Sequence, residues 1–255
     1  MTTPIILYGF QISHYVEKVR WAMDYCGIEY QEVQWTPMYS IPRAHLKAGG
    51  RTLPFIEVGK ETVQDSTRIL HWLDQHRRPF PVMPADEAQR KDAMAIEDLV
   101  DDVGFDIIRY MYATLADYPA DLVRLWGWSA TPLTRFGLRA TMPVTKYLMR
   151  YNIGFTDHDQ AQGIGRINRV MDALDAKLSD GREFLVGEQF SIADISAASI
   201  LAPTLMPPEH PLYSCESFVR RLGEHGKQFE HHPSYQWMRR VYGQYRFGSS
   251  DSRGT

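Results

Sequence analysis

The spacing of apolar positions changes character about a third of the way along the chain. In the first eighty residues Ile5, Ile6, Leu7 and Tyr8 run together as a strand would. From Tyr15 to Gly27 apolar residues recur at helical spacing (Val16, Val19, Met23, Cys26), and Glu29 to Trp35 alternates again as a strand does. A strand, a helix and a strand in that order imply parallel pairing, because the crossover returns the chain in its starting direction. After a connection bearing Pro and Gly (36–50), the apolar run 53–58 and the pair Thr62-Val63 flank Gly59-Lys60. So short a turn predicts an antiparallel hairpin. A helix from Ser66 to about Gln75 follows, with Ile69, Leu70, Trp72 and Leu73 apolar.

The order βαβ then ββα is that of a thioredoxin-like domain, and Pro79, Pro81 and Pro84 mark its end. The expected division is residues 1–78, a linker 79–85, an all-helical domain 86–248 and a frayed polar tail 249–255. The fold class is therefore α/β followed by all-α. Asp86 to Leu115 reads as one long amphipathic helix and Gly163 to Leu178 as another. Ser191-Ile192-Ala193-Asp194 has the form of a capping box, opening a helix that should end before Pro203. The proline-rich run 202–211 reads as a fixed loop near the domain junction. Between the amphipathic helices, residues 122–156 contain no acid but five cations, Arg124, Arg135, Arg139, Lys146 and Arg150, together with Trp126 and Trp128. This basic insertion, about 120–156, either keeps a solvated charged face or touches an anionic partner or surface.

Composition narrows the function. A formal net charge of -3 gives no overall basic field, so nucleic acid is not an expected partner. No run approaches the roughly 20 apolar residues that span a bilayer, and Met1-Thr2-Thr3-Pro4 has no targeting pattern, so a cytoplasmic protein is expected. Cys26 and Cys215 form no Cys-x-x-Cys or zinc spacing, and Cys26 lies on an apolar stripe as a buried structural thiol. The nine histidines include one adjacent pair, His231-His232, whose side chains do not face each other on a helix; no metal site is expected.

The candidate chemistry gathers around Ser13, in the string Ser13-His14-Tyr15-Val16-Glu17-Lys18-Val19-Arg20. A hydroxyl between a strand and a helix N-terminus sits beside outward-pointing N–H groups and the positive end of the helix dipole, a setting that favours an anion. Leu53-Pro54 before the third strand and Gln64-Asp65-Ser66 before the third helix are two further features of the same kind. On these motifs the chain resembles the glutathione transferase superfamily, bacterial and serine-type, over nearly its whole length. That resemblance implies that Ser13 stabilises the glutathione thiolate, with Tyr15 as the alternative, and that Leu53 precedes a cis Pro54 whose strand edge holds the tripeptide. It implies also that Asp65 and Ser66 hold the γ-glutamyl group. Thr52 stands where the family carries a long cationic or amide side chain, which leaves Arg51 or His45 for the glycyl carboxylate. Phe10, Tyr15, Tyr110, Tyr112 and Trp126 are candidates for a hydrophobic electrophile pocket or for core. The implied protein is a homodimeric detoxification enzyme that uses glutathione as co-substrate and no metal. Its alternatives are a noncatalytic glutathione- or ligand-binding protein, or a membrane-associated interaction protein on the same fold. Cysteine is missing at the turn, which excludes redox exchange through it.

Overall fold

The computed structural model describes residues 3–10, 12–35, 44–50, 52–127, 131–154, 156–211, 213 and 216–246, apart from the side chains of Met149, Asn152 and Asp157. Arg51, Trp128, Cys215 and the tail 249–255 lie outside these residues.

The N-terminal part contains β1 (Ile5–Gly9), α1 (His14–Tyr25), β2 (Tyr30–Gln34), β3 (Phe55–Val58), β4 (Glu61–Gln64) and α2 (Ser66–His76). The strands form one sheet in the order β2-β1-β3-β4. β1 and β2 are parallel, with Ile5 opposite Tyr30, and β3 runs antiparallel to both its neighbours, with Tyr8 opposite Phe55 and Phe55 opposite Gln64. The thioredoxin-like order and the hairpin are thus both present. This register brings the C-terminal ends of β1 and β4 and the N-terminal end of β3 to one end of the sheet.

The remaining helices are α3 (Glu87–Asp101), α4 (Gly104–Leu115), α5 (Pro119–Trp126), α6 (Pro132–Ile153), α7 (Asp157–Leu178), α8 (Ile192–Leu205), α9 (Glu216–Gly226) and α10 (Pro233–Tyr245). α8 is buried over its whole length and packs on α1, α3 and α10, so one continuous apolar core joins sheet and helices. The linker is part of this core: Phe80, Val82 and Met83 are buried, and the Val82 carbonyl accepts the Ile192 N–H at 2.7 Å. Asp194 closes the turn before α8, accepting the Ser191 N–H (2.8 Å) and hydroxyl (3.0 Å) and the Leu185 N–H (2.8 Å). Burial pushes its carboxyl up to about 6.

Two expectations need correction. The stretch 86–115 forms two helices, broken at Asp102-Val103, and Tyr15 of α1 packs against the start of the second, where a Cβ on Gly104 would collide with its hydroxyl. The approach comes from a distant part of the chain and leaves no local pattern. Likewise α8 does not stop before Pro203 but runs through it to Leu205, ending at Met206 in the left-handed conformation. A proline inside a helix costs about 3 kcal/mol, and burial of all fourteen α8 residues offsets that. The basic insertion is helical as expected, forming α5 and α6.

Candidate active site at the end of the sheet

Ser13 is the residue on which α1 begins. Its N–H donates to the Phe10 carbonyl at 2.9 Å and its carbonyl accepts the Glu17 N–H at 2.9 Å, so the backbone is fixed on both sides. The hydroxyl makes no capping hydrogen bond, and the residue is half-buried. In most helices such a side chain folds back onto the first-turn N–H groups. Here both hydroxyl and N–H groups remain for something else.

On the neighbouring strand the Leu53–Pro54 peptide is cis, as the resemblance implied. The Pro54 carbonyl accepts the Asp65 N–H at 3.1 Å, which joins the proline turn to the start of α2. Asp65 sits at φ 87°, and its carboxylate accepts the Arg68 N–H at 3.1 Å as the α2 cap. Ser66 is buried in the first turn. Leu53 is half-buried against the cluster of Tyr8, Ala44 and Phe55. Gln64 braces the loop before it: its amide donates to the Thr52 carbonyl at 2.6 Å, and its Oε1 occupies the place of a Cβ at position 50, so a larger residue there would have to displace the Gln64 amide.

Across the domain boundary, Lys18 on α1 is fully buried, with Nζ 2.5 Å from Glu97 and 2.7 Å from Asp101 on α3. The Thr67 hydroxyl donates to Glu97 at 2.5 Å and lies 3.3 Å from Asp101. Burial holds the Asp101 carboxyl above its ordinary value, and Glu97 and Asp65 add to this while Lys18 opposes it. Asp65, exposed at the start of α2, and Asp101, across the domain boundary, act on one another electrostatically, and with Glu97 they outnumber Lys18 at this junction. Asp101, Thr67 and Lys18 were missed in the sequence, where pairing between distant segments leaves no signal.

Tyr15 lies half-buried at this junction, its hydroxyl 3.5 Å from the Asp101 carbonyl. Burial, then the carboxylates of Asp101 and Asp65, raise its phenol well above the ordinary value. It stays protonated, so its hydroxyl is available as a donor. His14, buried beside it, is held neutral: burial and Lys18 depress its imidazole to about 3, against a hydrogen bond to the Gly104 backbone.

Tyr8 is committed elsewhere, stacked on Phe55 at 4.5 Å with its hydroxyl 2.6 Å from Glu57 and 2.8 Å from Lys47. Of the pocket aromatics, Phe10 is half-buried at the turn, but Tyr110 is core, its hydroxyl donating to the Leu222 carbonyl at 3.2 Å. Trp126 is buried too and donates to the Tyr112 hydroxyl at 3.2 Å. Burial pushes that phenol up to about 12. These two pair within the helical domain. Arg51 lies outside the described residues, and His45 is exposed on the helical turn at 44–48. A groove of about 1180 Å³ runs along the linker past Arg78, Pro81 and Arg182, and it includes none of the residues around Ser13. Cys26 is half-buried, and burial pushes its thiol up to about 11, which makes it a poor nucleophile. Asp172, Asp175 and His232 lie close enough to hold an ion, but Asp175 already accepts the Ser234 N–H at 2.6 Å and pairs with His232 at 2.7 Å, a cap for α10.

No helix among the described residues is long and apolar enough to cross a membrane. A search of curated proteins by sequence finds no match. Among solved structures, a glutathione S-transferase from Methylobacillus flagellatus KT with glutathione bound is 18% identical, covering 92% of this chain and 98% of its own, at a TM-score of 0.57. One from Methylobacterium radiotolerans in complex with glutathione sulfonate is 21% identical over 92% and 93%, at 0.56. The β-etherase LigF from Sphingobium sp. strain SYK-6 is 18% identical over 93% and 98%, at 0.57. The model of the glutathione S-transferase N-terminal domain matches residues 7–81 and that of the C-terminal domain residues 157–212, together just over half of the chain. With the cis-proline turn and the sheet-to-helix order described above, these matches place the chain in the glutathione S-transferase superfamily.

Proposed function

We propose that the protein is a glutathione transferase in which the end of the sheet holds reduced glutathione and Ser13 activates its thiol. One observation carries this reading: Ser13 leaves its hydroxyl and the first N–H groups of α1 uncommitted, at the sheet end that also presents the cis-proline edge and Asp65-Ser66. The cysteinyl backbone of glutathione pairs with the Leu53 strand edge. The γ-glutamyl carboxylate takes the N–H and hydroxyl of Ser66 at the start of α2, and its ammonium group takes Asp65 and Asp101. The glycyl carboxylate is left to Arg51 or His45. A thiol with a pKa near 8.5 must gain about 2.7 kcal/mol of anion stabilisation to drop two units, and a hydroxyl hydrogen bond to a thiolate, worth about 1.5–3 kcal/mol, supplies that with the helix N-terminus. Ser13 is then a donor to the nucleophile, and the thiolate attacks an electrophilic carbon of an apolar compound. Tyr15, protonated beside Ser13, is the second donor available.

Conjugation is the default reaction; dehalogenation, ether cleavage and isomerisation start from the same thiolate. A cytoplasmic homodimer is what the family resemblance favours. The test is calorimetric titration of the purified protein with glutathione and with S-hexylglutathione, followed by a turnover screen against aryl halides and β-aryl ethers. Tight binding of both ligands with turnover supports the reading. Binding without turnover makes the protein a glutathione carrier, and no binding removes the reading.

A further inference from the structure

Helix α6 presents an apolar face to solvent. Leu133, Phe136, Val144, Tyr147 and Tyr151 are each between 63% and 82% exposed. At 3.6 residues per turn these five positions fall within one third of the helix circumference, while Leu138, Met142 and Thr145 on the opposite side are buried. Arg135, Arg139, Lys146 and Arg150 follow one edge of the exposed stripe. Lys146 reaches Asp117 at 3.2 Å, but Arg139 and Arg150 meet no carboxylate among the described residues. Beside the stripe, between α5 and α6, an apolar groove of about 760 Å³ is walled by Val123 and Phe136 and rimmed by Arg124, Arg135 and Arg139.

A face of this size and charge restricts its partner. The stripe is about 27 Å long and 10 Å wide, so it buries about 300 Å², well short of the roughly 800 Å² per partner of a stable protein interface. A second copy placed stripe to stripe would set the same cations against their own kind, with no acid within residues 122–156 to meet them. An anionic lipid surface has neither limit: a single helix suffices, aromatic and aliphatic side chains enter the headgroup boundary, and the cations meet lipid phosphates. We propose that α6 lies on an anionic membrane surface, with its apolar stripe among the headgroups and the arginine-rimmed groove over a lipid phosphate.

The experiment is co-sedimentation of the full chain with phosphatidylcholine vesicles, with and without phosphatidylglycerol, at low and high salt. The protein should pellet with the anionic vesicles, lose that binding as salt rises, and stay in solution with phosphatidylcholine alone. Phe136→Asp with Tyr147→Asp, and separately Arg139→Glu with Arg150→Glu, should each lower the bound fraction about tenfold or more. All four positions are exposed, and circular dichroism checks that the variants fold. Should the first pair not fold, Phe136→Trp replaces it, and its emission, less that of the wild type, should shift to the blue on anionic vesicles. The proposal is overturned by no pelleting, by pelleting that both apolar-to-acid changes leave intact, or by a Phe136→Trp emission that does not shift. It is equally overturned if those changes convert a dimer in solution to monomer, which would make the stripe a contact between copies.

Discussion

Helix α1 buries two charge clusters less than one turn apart, and they are completed in different ways. On one side Glu17 is held by Arg20 at 2.5 Å and by Arg246 at 2.6 Å, while Arg20 continues to Glu32 (2.6 Å) and Arg246 to Asp24 (3.0 Å). Every carboxylate in that set meets a guanidinium, and the set ties α1 to the end of α10. On the other side Lys18 alone faces Glu97 and Asp101, the Glu97 Oε2 has no partner among the described residues, and Asp65 stands nearby. A buried charge set that closes on itself holds a fold together. One that is left with surplus negative charge at a domain boundary is a candidate place for a cationic group of a ligand.

The contrast can be broken first at Glu17. Glu17→Ala leaves Arg20 and Arg246 buried beside an empty position, and removing one partner of a buried pair costs about 3–5 kcal/mol. Urea denaturation should report a loss of that size, and a loss below about 1 kcal/mol would mean the cluster is not structural.

Acid should expose the same cluster. Burial would raise the Glu17 carboxyl, but Arg246 and Arg20 overcome it and hold it at about 2, against an ordinary 4.5. Its folded-state value is depressed, so its stabilisation is complete above about pH 4.5 and is lost as the pH falls toward 2. His14 and His210 are depressed by burial to about 3, so the unfolded chain takes up their protons first. Each therefore removes about 1.4 kcal/mol of stability per pH unit as the pH falls from 6.5 toward 3. Histidine resonances followed by NMR should show two rings that do not titrate between about pH 8 and 5; normal titration of both would remove this contribution.

The smallest effect sharpens the other side of the contrast. Asp101→Asn leaves Lys18 paired with Glu97 and removes a carboxylate whose ionised form burial already disfavours, so stability should change by less than about 1 kcal/mol, while glutathione affinity falls about tenfold, or about 1.4 kcal/mol. The reverse pattern, lost stability with affinity intact, would make this cluster structural as well.

The local parts of this arrangement were legible in the chain. Apolar runs, one alternating segment and a short Gly-Lys turn marked the four strands of the sheet, and Ser191 with Asp194 marked the start of α8, because such signals act over a few residues. The break at Asp102-Val103 was not read, and the approach of Tyr15 to Gly104 beside it comes from another element. Nor was the run of α8 through Pro203, where burial outweighs a local preference. Ser13, Pro54 and Asp65 entered as candidates by motif, whereas Asp101 and Lys18 did not, because the domain interface that pairs them is unmarked in sequence. In α6 the cations stood out at once, whereas nothing in the local pattern separated the apolar residues that stay in solvent from those that are buried.

The central claim is that Ser13 lowers the pKa of a bound thiol, and thiolate ultraviolet absorbance against pH, for wild type and Ser13→Ala with glutathione bound, tests it most directly. The account predicts ionisation about two units below the solution value near 8.5 in the wild type, and loss of most of that shift in the variant. An unshifted thiol in the wild type, or a shift that survives Ser13→Ala, would contradict it.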